Sequence, residues 1–160
     1  MAGKAYGKTL PIGFRGNVAR TPDTVIGAFP NVGTAPIPFG AAVIYDTTGK
    51  GVRAIKSTDS TATDIIGFAV REVGQPKADS ASGWYYAPGE TVDVLLRGTI
   101  TVELKAKTGL AARGQVYADP TDGELTSVST NNLAIPNAVF TNGDYDANNI
   151  VSVTVLKRSM

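Results

Sequence analysis

The sequence predicts an all-β fold, namely a small barrel or sandwich built from a duplicated hairpin-plus-strands unit, with an extended N-terminal arm. Three observations lead to this prediction. Apolar and polar residues alternate along several segments, a period that is typical of strands with one buried face. No segment sustains the 3.6-residue period of an amphipathic helix. Two parts of the chain also repeat the same order of strand-like segments.

The chain is predicted to divide into an extended arm, residues 1–39, and a β-rich body, residues 40–160. The first 40 residues contain five prolines, which exclude a helix interior and disfavour a central strand. We therefore expect the first 35 or so residues to lack regular structure, and deletion of residues 1–36 to leave the body folded. Scattered apolar residues such as Phe14 and Phe29 indicate that the arm lies on a surface, of its own body or of a neighbour.

The body is predicted to contain two hairpins and four further strands. Aspartate and glycine residues supply the turn chemistry of both hairpins. The segment KAKTGLAARG forms at most a single helical turn. The predicted hairpins are residues 40–55 and 114–128, and the predicted strands are residues 64–74, 89–104, 133–140 and 149–158.

The longest predicted strand, GETVDVLLRGTITVEL, has one glycine on its apolar face. From Val92 to Leu104 its even-numbered residues other than Gly98 are apolar, and only Leu95 breaks the alternation. Gly98 falls on the apolar face, where a missing side chain indicates a bulge, a bend or the close approach of another backbone. The segment is therefore predicted to bend and to pass from one layer of the domain to another.

Three pairs of segments indicate an internal duplication. GAAVIYDTTGKGV resembles GQVYADPTDGEL, IIGFAV resembles AIPNAV, and VDVLLR resembles VTVLKR. The three matches occur in the same order along the chain. Two such units are expected to pair and to close strand edges that either unit would expose alone.

The composition disfavours an enzyme. The chain has 160 residues, a length that fits one domain, and it contains neither cysteine nor histidine. Thiol catalysis, disulfides and the common histidine-based triads and zinc sites are therefore excluded from this chain alone. No apolar run reaches the roughly 20 residues of a membrane helix, and the N-terminus lacks the apolar core of a signal peptide. We expect a soluble protein that does not bind a membrane.

The charge distribution gives little support to a nucleic-acid partner. Residues 1–40 carry four basic residues and one acidic residue, a net charge of +3, within a chain of net charge +1. A solvated basic arm explains this excess as well as a nucleic-acid site does. We expect no nucleic-acid binding.

Three short motifs resemble functional sites, but two lack a required glycine and the third is explained as a turn. GKT at residues 7–9 lacks the earlier glycine of a phosphate-binding loop. GDYDANN has three residues at calcium-loop spacing, but Asn149 stands where the loop requires glycine. In DPTDG, Asp119 and Asp122 could form a carboxylate pair, although the stretch is also a strong turn signal. We expect no catalytic residue, no metal and no cofactor.

The stretch SGWYYAPGE contains the most distinctive group of side chains. Trp84, Tyr85 and Tyr86 lie between a polar loop and the long strand. Trp84 or Tyr86 caps the core, or these rings form an aromatic anchor at a protein interface, where such residues are enriched. In the arm, we select four further interface candidates, Phe14, Arg15, Arg20 and Phe29.

The hairpins, the IIGFAV strand and the long strand followed by GLAARGQVYADPTDGEL resemble the head decoration, or capsid cement, proteins of tailed bacteriophages. The resemblance covers about residues 40–158. It implies a structural virion protein, made in the host cytoplasm, that binds the major capsid protein on the outer surface of the shell and stabilises it. It also implies a homotrimer. A tail or baseplate component and a carbohydrate-binding module remain as alternative interpretations.

Overall fold

A computed structural model describes residues 12–18, 23–57, 59, 65–71, 78–79 and 83–156; for residues 78, 79, 83 and 84 the description covers the backbone only. These residues form twelve strands and no helix. The strands are β1 (Val25–Pro30), β2 (Ile37–Pro38), β3 (Ala42–Tyr45), β4 (Val52–Ala54), β5 (Ile65–Ala69), β6 (Ala78–Asp79), β7 (Gly83–Tyr86), β8 (Thr91–Ala106), β9 (Gln115–Ala118), β10 (Leu125–Thr126), β11 (Leu133–Phe140) and β12 (Ile150–Val155).

Ten strand segments form two units with the same topology, and β8 belongs to both. The first unit comprises β1, β3, β4, β5 and residues 91–97 of β8. The second unit comprises residues 98–106 of β8, followed by β9, β10, β11 and β12. In each unit a hairpin pairs with the next strand, that strand pairs with the last one, and the last strand pairs with the first. The duplication that the sequence predicted is therefore present in the fold.

The second unit is a closed five-stranded barrel. Its ring closes because β10 pairs antiparallel with β9 and parallel with β8. The first unit has the same arrangement, and a single parallel bridge between Asn31 and Val52 joins the end of β1 to β4. The strands β2, β7 and β6 form a separate three-stranded sheet in that order.

The long strand changes partner at its glycine. Arg97 is the last residue of β8 that pairs with β1, and Gly98 is the first that pairs with β12. Gly98 has φ +124°, a backbone conformation that side-chain-bearing residues rarely adopt. Gly98, where the bend was predicted, therefore lies at the junction of the two units.

Two apolar clusters form the core among the described residues. Most residues of the second cluster belong to the second unit, but Leu95 of the first unit is also part of it. Alternate residues Val92, Val94 and Leu96 face the cluster of the first unit, whereas Leu95 points to the opposite face and joins the cluster of the second unit. The sheet of the first unit is thus buried on both faces, which explains the break in alternation. Other residues of the first unit in the second cluster are Ala42, Ile44, Ile55, Ile65 and Phe68.

One prediction about the arm is wrong. Residues 25–30 were expected to lack regular structure, but they form β1, which pairs with β8 over its whole length. Pro30 is tolerated because it is the last residue of the strand and lies on the outer edge of the sheet. Ile37 and Phe39, which also belong to the predicted arm, are buried in the core of the first unit. Because β1 belongs to the sheet, the expectation that the body stays folded without residues 1–36 loses its basis.

Candidate interaction surface

Residues 12–18, named here the strap, lie across β8 in the second unit. The Gly16 amide donates a hydrogen bond to the Thr101 carbonyl oxygen (2.7 Å), and the Thr101 amide donates to the Asn17 carbonyl oxygen (2.9 Å). The Thr101 hydroxyl adds a bond to the carbonyl oxygen of Phe14. The strap therefore extends the sheet at the edge of β8 that faces away from β12.

The strap also contacts the first unit. The Arg71 amide donates a hydrogen bond to the Gly16 carbonyl oxygen (2.7 Å), and Arg15 Nε donates to the Phe39 carbonyl oxygen (2.8 Å). A Cβ atom on Gly16 would lie 2.9 Å from the Arg71 nitrogen and 3.0 Å from the Phe39 Cβ atom. Only glycine fits this position, so the strap joins the two units through a closely packed contact.

Phe14 is the most exposed large apolar residue of the described chain, at 66% of its maximum. The Arg71 guanidinium lies 4.6 Å from the centre of its ring, within the range of a cation–π contact. The backbone of Phe14 is held by Thr101, so the ring is presented on a fixed support. This geometry suits an interface anchor, because little conformational entropy is left to lose on binding.

The other arm candidates are partly buried or lie outside the described residues. Arg15 forms an ion pair with Glu103 (3.2 Å). Phe29 packs against the core of the first unit and makes an edge contact with Tyr45, with 5.8 Å between ring centres. Arg20 lies outside the described residues. The role of these residues at an interface stays a prediction.

The aromatic stretch is divided between core and surface. Tyr86 is 3% exposed, donates its hydroxyl to the Val70 carbonyl oxygen (2.7 Å) and makes an edge contact with Phe39 (5.1 Å between ring centres). For Tyr86, the core alternative is therefore observed. Tyr85 is partly exposed on the opposite face of β7, and the side chain of Trp84 lies outside the described residues.

Asp119 and Asp122, considered above as a carboxylate pair, meet around Lys105. The Lys105 ammonium lies 2.9 Å from Asp119 and 2.5 Å from Asp122, and Glu124 is 3.8 Å away. Hydrogen bonds to Asp122 and then to Asp119 raise the pKa of Lys105. The pKa of Asp119 is lowered, first by the Thr121 amide and then by Lys105. Both aspartates also accept bonds from turn amides, so the turn interpretation accounts for them.

A groove of about 690 Å³ adjoins this ion cluster. Residues of both units line it, including Arg15 and Phe39 on one side and Leu125 on the other. Glu103 and Lys105, from the odd-numbered face of β8, also contribute to its wall. The groove is wide, and both polar and apolar side chains line it. The described residues that line it do not form a catalytic site.

The calcium-like loop is a turn that also anchors the strap. The Asp146 carboxylate accepts hydrogen bonds from the amides of Asn148 and Ile150, both at 2.9 Å. Its other oxygen accepts a bond from the Ile12 amide (3.2 Å). Within the described ranges, no three acidic, histidine or cysteine side chains are grouped so as to hold a metal ion. Those ranges likewise contain no helix able to cross a membrane.

Sequence reasoning selected Phe14 and Arg15 of the strap, but not the residues that hold the strap in place. The contact between Thr101 and the strap joins residues 84 and 87 positions apart, and no local pattern signals it. Arg71, which supports Phe14, was not selected. The only sequence signal for the strap was its apolar content, which indicated that the arm lies on a surface.

Comparisons with known proteins identify the family. Residues 2–156 match the family described as structural cement protein (E217 gp24/Pam3 gp6). A solved structure titled "The capsid of Myoviridae Phage XM1" contains a chain with the same fold, at a TM-score of 0.71 and 22% sequence identity, over 99% of each chain. No curated protein matches the sequence. The chain therefore belongs to the family of phage structural cement proteins and is a capsid-stabilising structural protein.

Proposed function

We propose that the protein binds the major capsid protein on the outer surface of the phage head and reinforces the shell without catalysing a reaction. The observation that carries this proposal is the family match over residues 2–156. The absence of histidine and cysteine from the whole sequence supports a purely structural role. Binding to the outer surface rests on the resemblance to head decoration proteins.

We propose that the homotrimer is the unit that binds and that neither nucleic acid nor a membrane takes part. A symmetric oligomer multiplies weak contacts into a high avidity. The net charge of +1 for the whole chain gives no strong electrostatic attraction to phosphate backbones. Sedimentation equilibrium of the free protein tests the trimer, and a stable dimer would contradict it.

The strap is proposed to supply one anchor of the capsid interface. Phe14 is exposed and rigidly supported, and Arg71 places a positive charge over its ring. A partner that covers both side chains gains apolar burial and desolvates the cation–π pair, which strengthens it. Arg15, Arg20, Phe29, Trp84 and Tyr85 remain further candidates for the same interface.

The test is reconstitution on purified heads that lack the protein. Wild-type protein is expected to bind to saturation and to raise the temperature at which the heads rupture. The Phe14→Ala variant is expected to bind at least tenfold more weakly, which corresponds to about 1.4 kcal/mol. Its melting temperature is expected to stay within a few degrees of wild type because the ring is largely exposed.

A second exposed aromatic pair provides the matched control. Tyr145 is 45% exposed, and Lys107 lies 4.3 Å from its ring centre, much as Arg71 lies over Phe14. Tyr145→Ala is expected to leave binding unchanged. Equal losses for both variants would show a general effect of surface aromatic rings and would refute the strap anchor. Failure of wild-type protein to bind or to stabilise heads would refute the proposed function itself.

A further inference from the structure

The two units differ at one equivalent strand edge, which the strap covers in the second unit and no described residue covers in the first. In the second unit, β8 meets β10 at Leu104, and in the first unit the end of β1 meets β4 at Asn31. Thr101 precedes Leu104 by three residues, and Ala28 precedes Asn31 by three residues. These two residues therefore occupy the same place in the duplicated fold.

The backbone amide and carbonyl groups of Thr101 point away from β12, and those of Ala28 point away from β8. Thr101 bonds to the strap through both its amide and its carbonyl. Ala28 lies opposite Asp93, whose carbonyl instead accepts a bond from the Val70 amide on the other side of β8. Neighbouring Asn31 donates to Glu90, so in the alternation of an antiparallel ladder Ala28 and Ile26 face outward.

The outward edge of β1 at Ile26 and Ala28 has no partner among the described residues. No residue of the described ranges bonds to the outward amide or carbonyl of Ile26 or Ala28, whereas the equivalent groups of Thr101 are satisfied by Asn17 and Gly16. Ile26 is 45% exposed, and the alanine is exposed as well. An open edge with apolar side chains is a template for the addition of another strand.

We propose that the outward edge of β1 at Ile26 and Ala28 is a strand-acceptor site for an extended segment of a capsid subunit. The strap shows that this edge of the fold can accept backbone hydrogen bonds from a further segment, because its turn at residues 14–17 already bonds to the equivalent edge at Thr101. The strap itself is not available, since residues 12–18 are bound within their own chain. The identity of the partner rests on the proposed function. The acceptor edge itself is inferred from the comparison of the two units.

Substitution by proline tests the site without disturbing the pairing of β1 with β8. Ala28→Pro removes the outward amide and places ring atoms at the edge, which blocks an incoming strand. The control is Ala112→Pro. Ala112 is an exposed alanine at the second position of the turn closed by the Gly114 amide and the Ala111 carbonyl oxygen, where proline is favoured because Arg113 has φ +62°.

The variants are compared with wild type for binding to heads that lack the protein. Ala28→Pro is expected to bind at least tenfold more weakly, whereas Ala112→Pro binds as wild type. Unchanged binding of Ala28→Pro, with wild type bound normally, would overturn the acceptor site and leave the proposed function intact. If wild type itself does not bind, the proposed function fails.

Hydrogen exchange of the wild-type protein gives a second test that is independent of how well the variant folds. The amides of Ile26 and Ala28 are expected to exchange rapidly in the free protein and at least tenfold more slowly on heads. Unchanged exchange on saturated heads would overturn the proposal. Protection that grows with the concentration of free protein would assign the edge to a second copy and would overturn it too.

Discussion

Thr101 and Phe14 are separated by 87 residues, yet the Thr101 hydroxyl donates a hydrogen bond to the Phe14 carbonyl oxygen. Thr101 lies on the outer face of β8 and is 5% exposed, because the strap covers it. A hydroxyl on a strand face thus holds the segment that presents the most exposed aromatic ring of the described chain.

Replacing Thr101 by valine is expected to loosen the strap. The variant loses the hydroxyl bond to Phe14 at nearly constant volume, which should cost about 1 kcal/mol of unfolding free energy. The Arg71 amide, which donates to Gly16, should then exchange with solvent faster. Thr99→Val is the control, because the Thr99 hydroxyl bonds to Thr154 instead (3.0 Å). Equal acceleration at Arg71 in both variants would contradict a specific role for Thr101.

Replacing Gly98 by alanine is expected to destabilise the junction of the units. At φ +124° the residue lies outside the left-handed region that alanine tolerates, so the strain should reach roughly 2 to 3 kcal/mol. Gly49→Ala serves as a reference, since Gly49 has φ +66° and open space around a Cβ atom. Urea unfolding measures both, and a smaller loss for Gly98→Ala than for Gly49→Ala would refute this account.

The ion pair of Arg53 and Asp59 is expected to make stability depend on pH. Two bonds of 2.7 Å join the groups, and the hydrogen bonds from Arg53 are the main cause that lowers the pKa of Asp59. The folded pKa is thus below the ordinary value of 3.8, so the contribution is present above about pH 4 and is lost as the pH falls through the folded pKa.

Asp59→Asn should therefore lower the unfolding free energy by about 2 kcal/mol at pH 7. The gap to wild type should narrow below pH 4, where the wild-type carboxylate becomes protonated. Urea unfolding at several pH values measures the gap. Asp144→Asn, at an exposed position, serves as the control and is expected to change stability little. A gap that stays constant from pH 7 to pH 2.5 would show that the ion pair is not its source.

Deleting residues 1–36 is now expected to destabilise the body, in contrast to the expectation from the sequence. The deletion removes β1, the buried Asn31 and the strap, and it exposes both edges of β8. We expect the melting temperature to fall by roughly 10 °C or more. Deleting residues 1–11 removes none of the contacts described above and should shift it by only a few degrees. Similar melting temperatures for the two deletions would restore the earlier expectation.

Local patterns predicted the body of the fold well because its strands are regular and its turns contain glycine and aspartate. The period of two located β8, and the position of Gly98 located the point where β8 changes its pairing partner. The internal repeat predicted two units, although not that β8 serves as the last strand of one and the first of the other. In the sequence, Leu95 is the apolar residue that breaks the alternation. Its burial is explained by packing against residues of the second unit, which the local pattern does not show.

Sequence patterns failed where a residue's environment is made by distant parts of the chain. Proline at the end of β1 disfavoured a strand, yet an edge position tolerates it. The adjacent rings of Tyr85 and Tyr86 differ in exposure because β7 directs them to opposite faces. The partners of the strap were not predictable, since they arise from long-range pairing with Thr101 and Arg71.

The shared strand gives the molecule a mechanical property. At about 3.3 Å per residue, the 16 residues of β8 form a continuous tie of roughly 50 Å that runs through both units. A force that pulls the units apart along this axis is carried by covalent bonds, and the flanking ladders must shear as a whole rather than open one bond at a time. Tension between the two units is therefore resisted by the backbone of β8 itself.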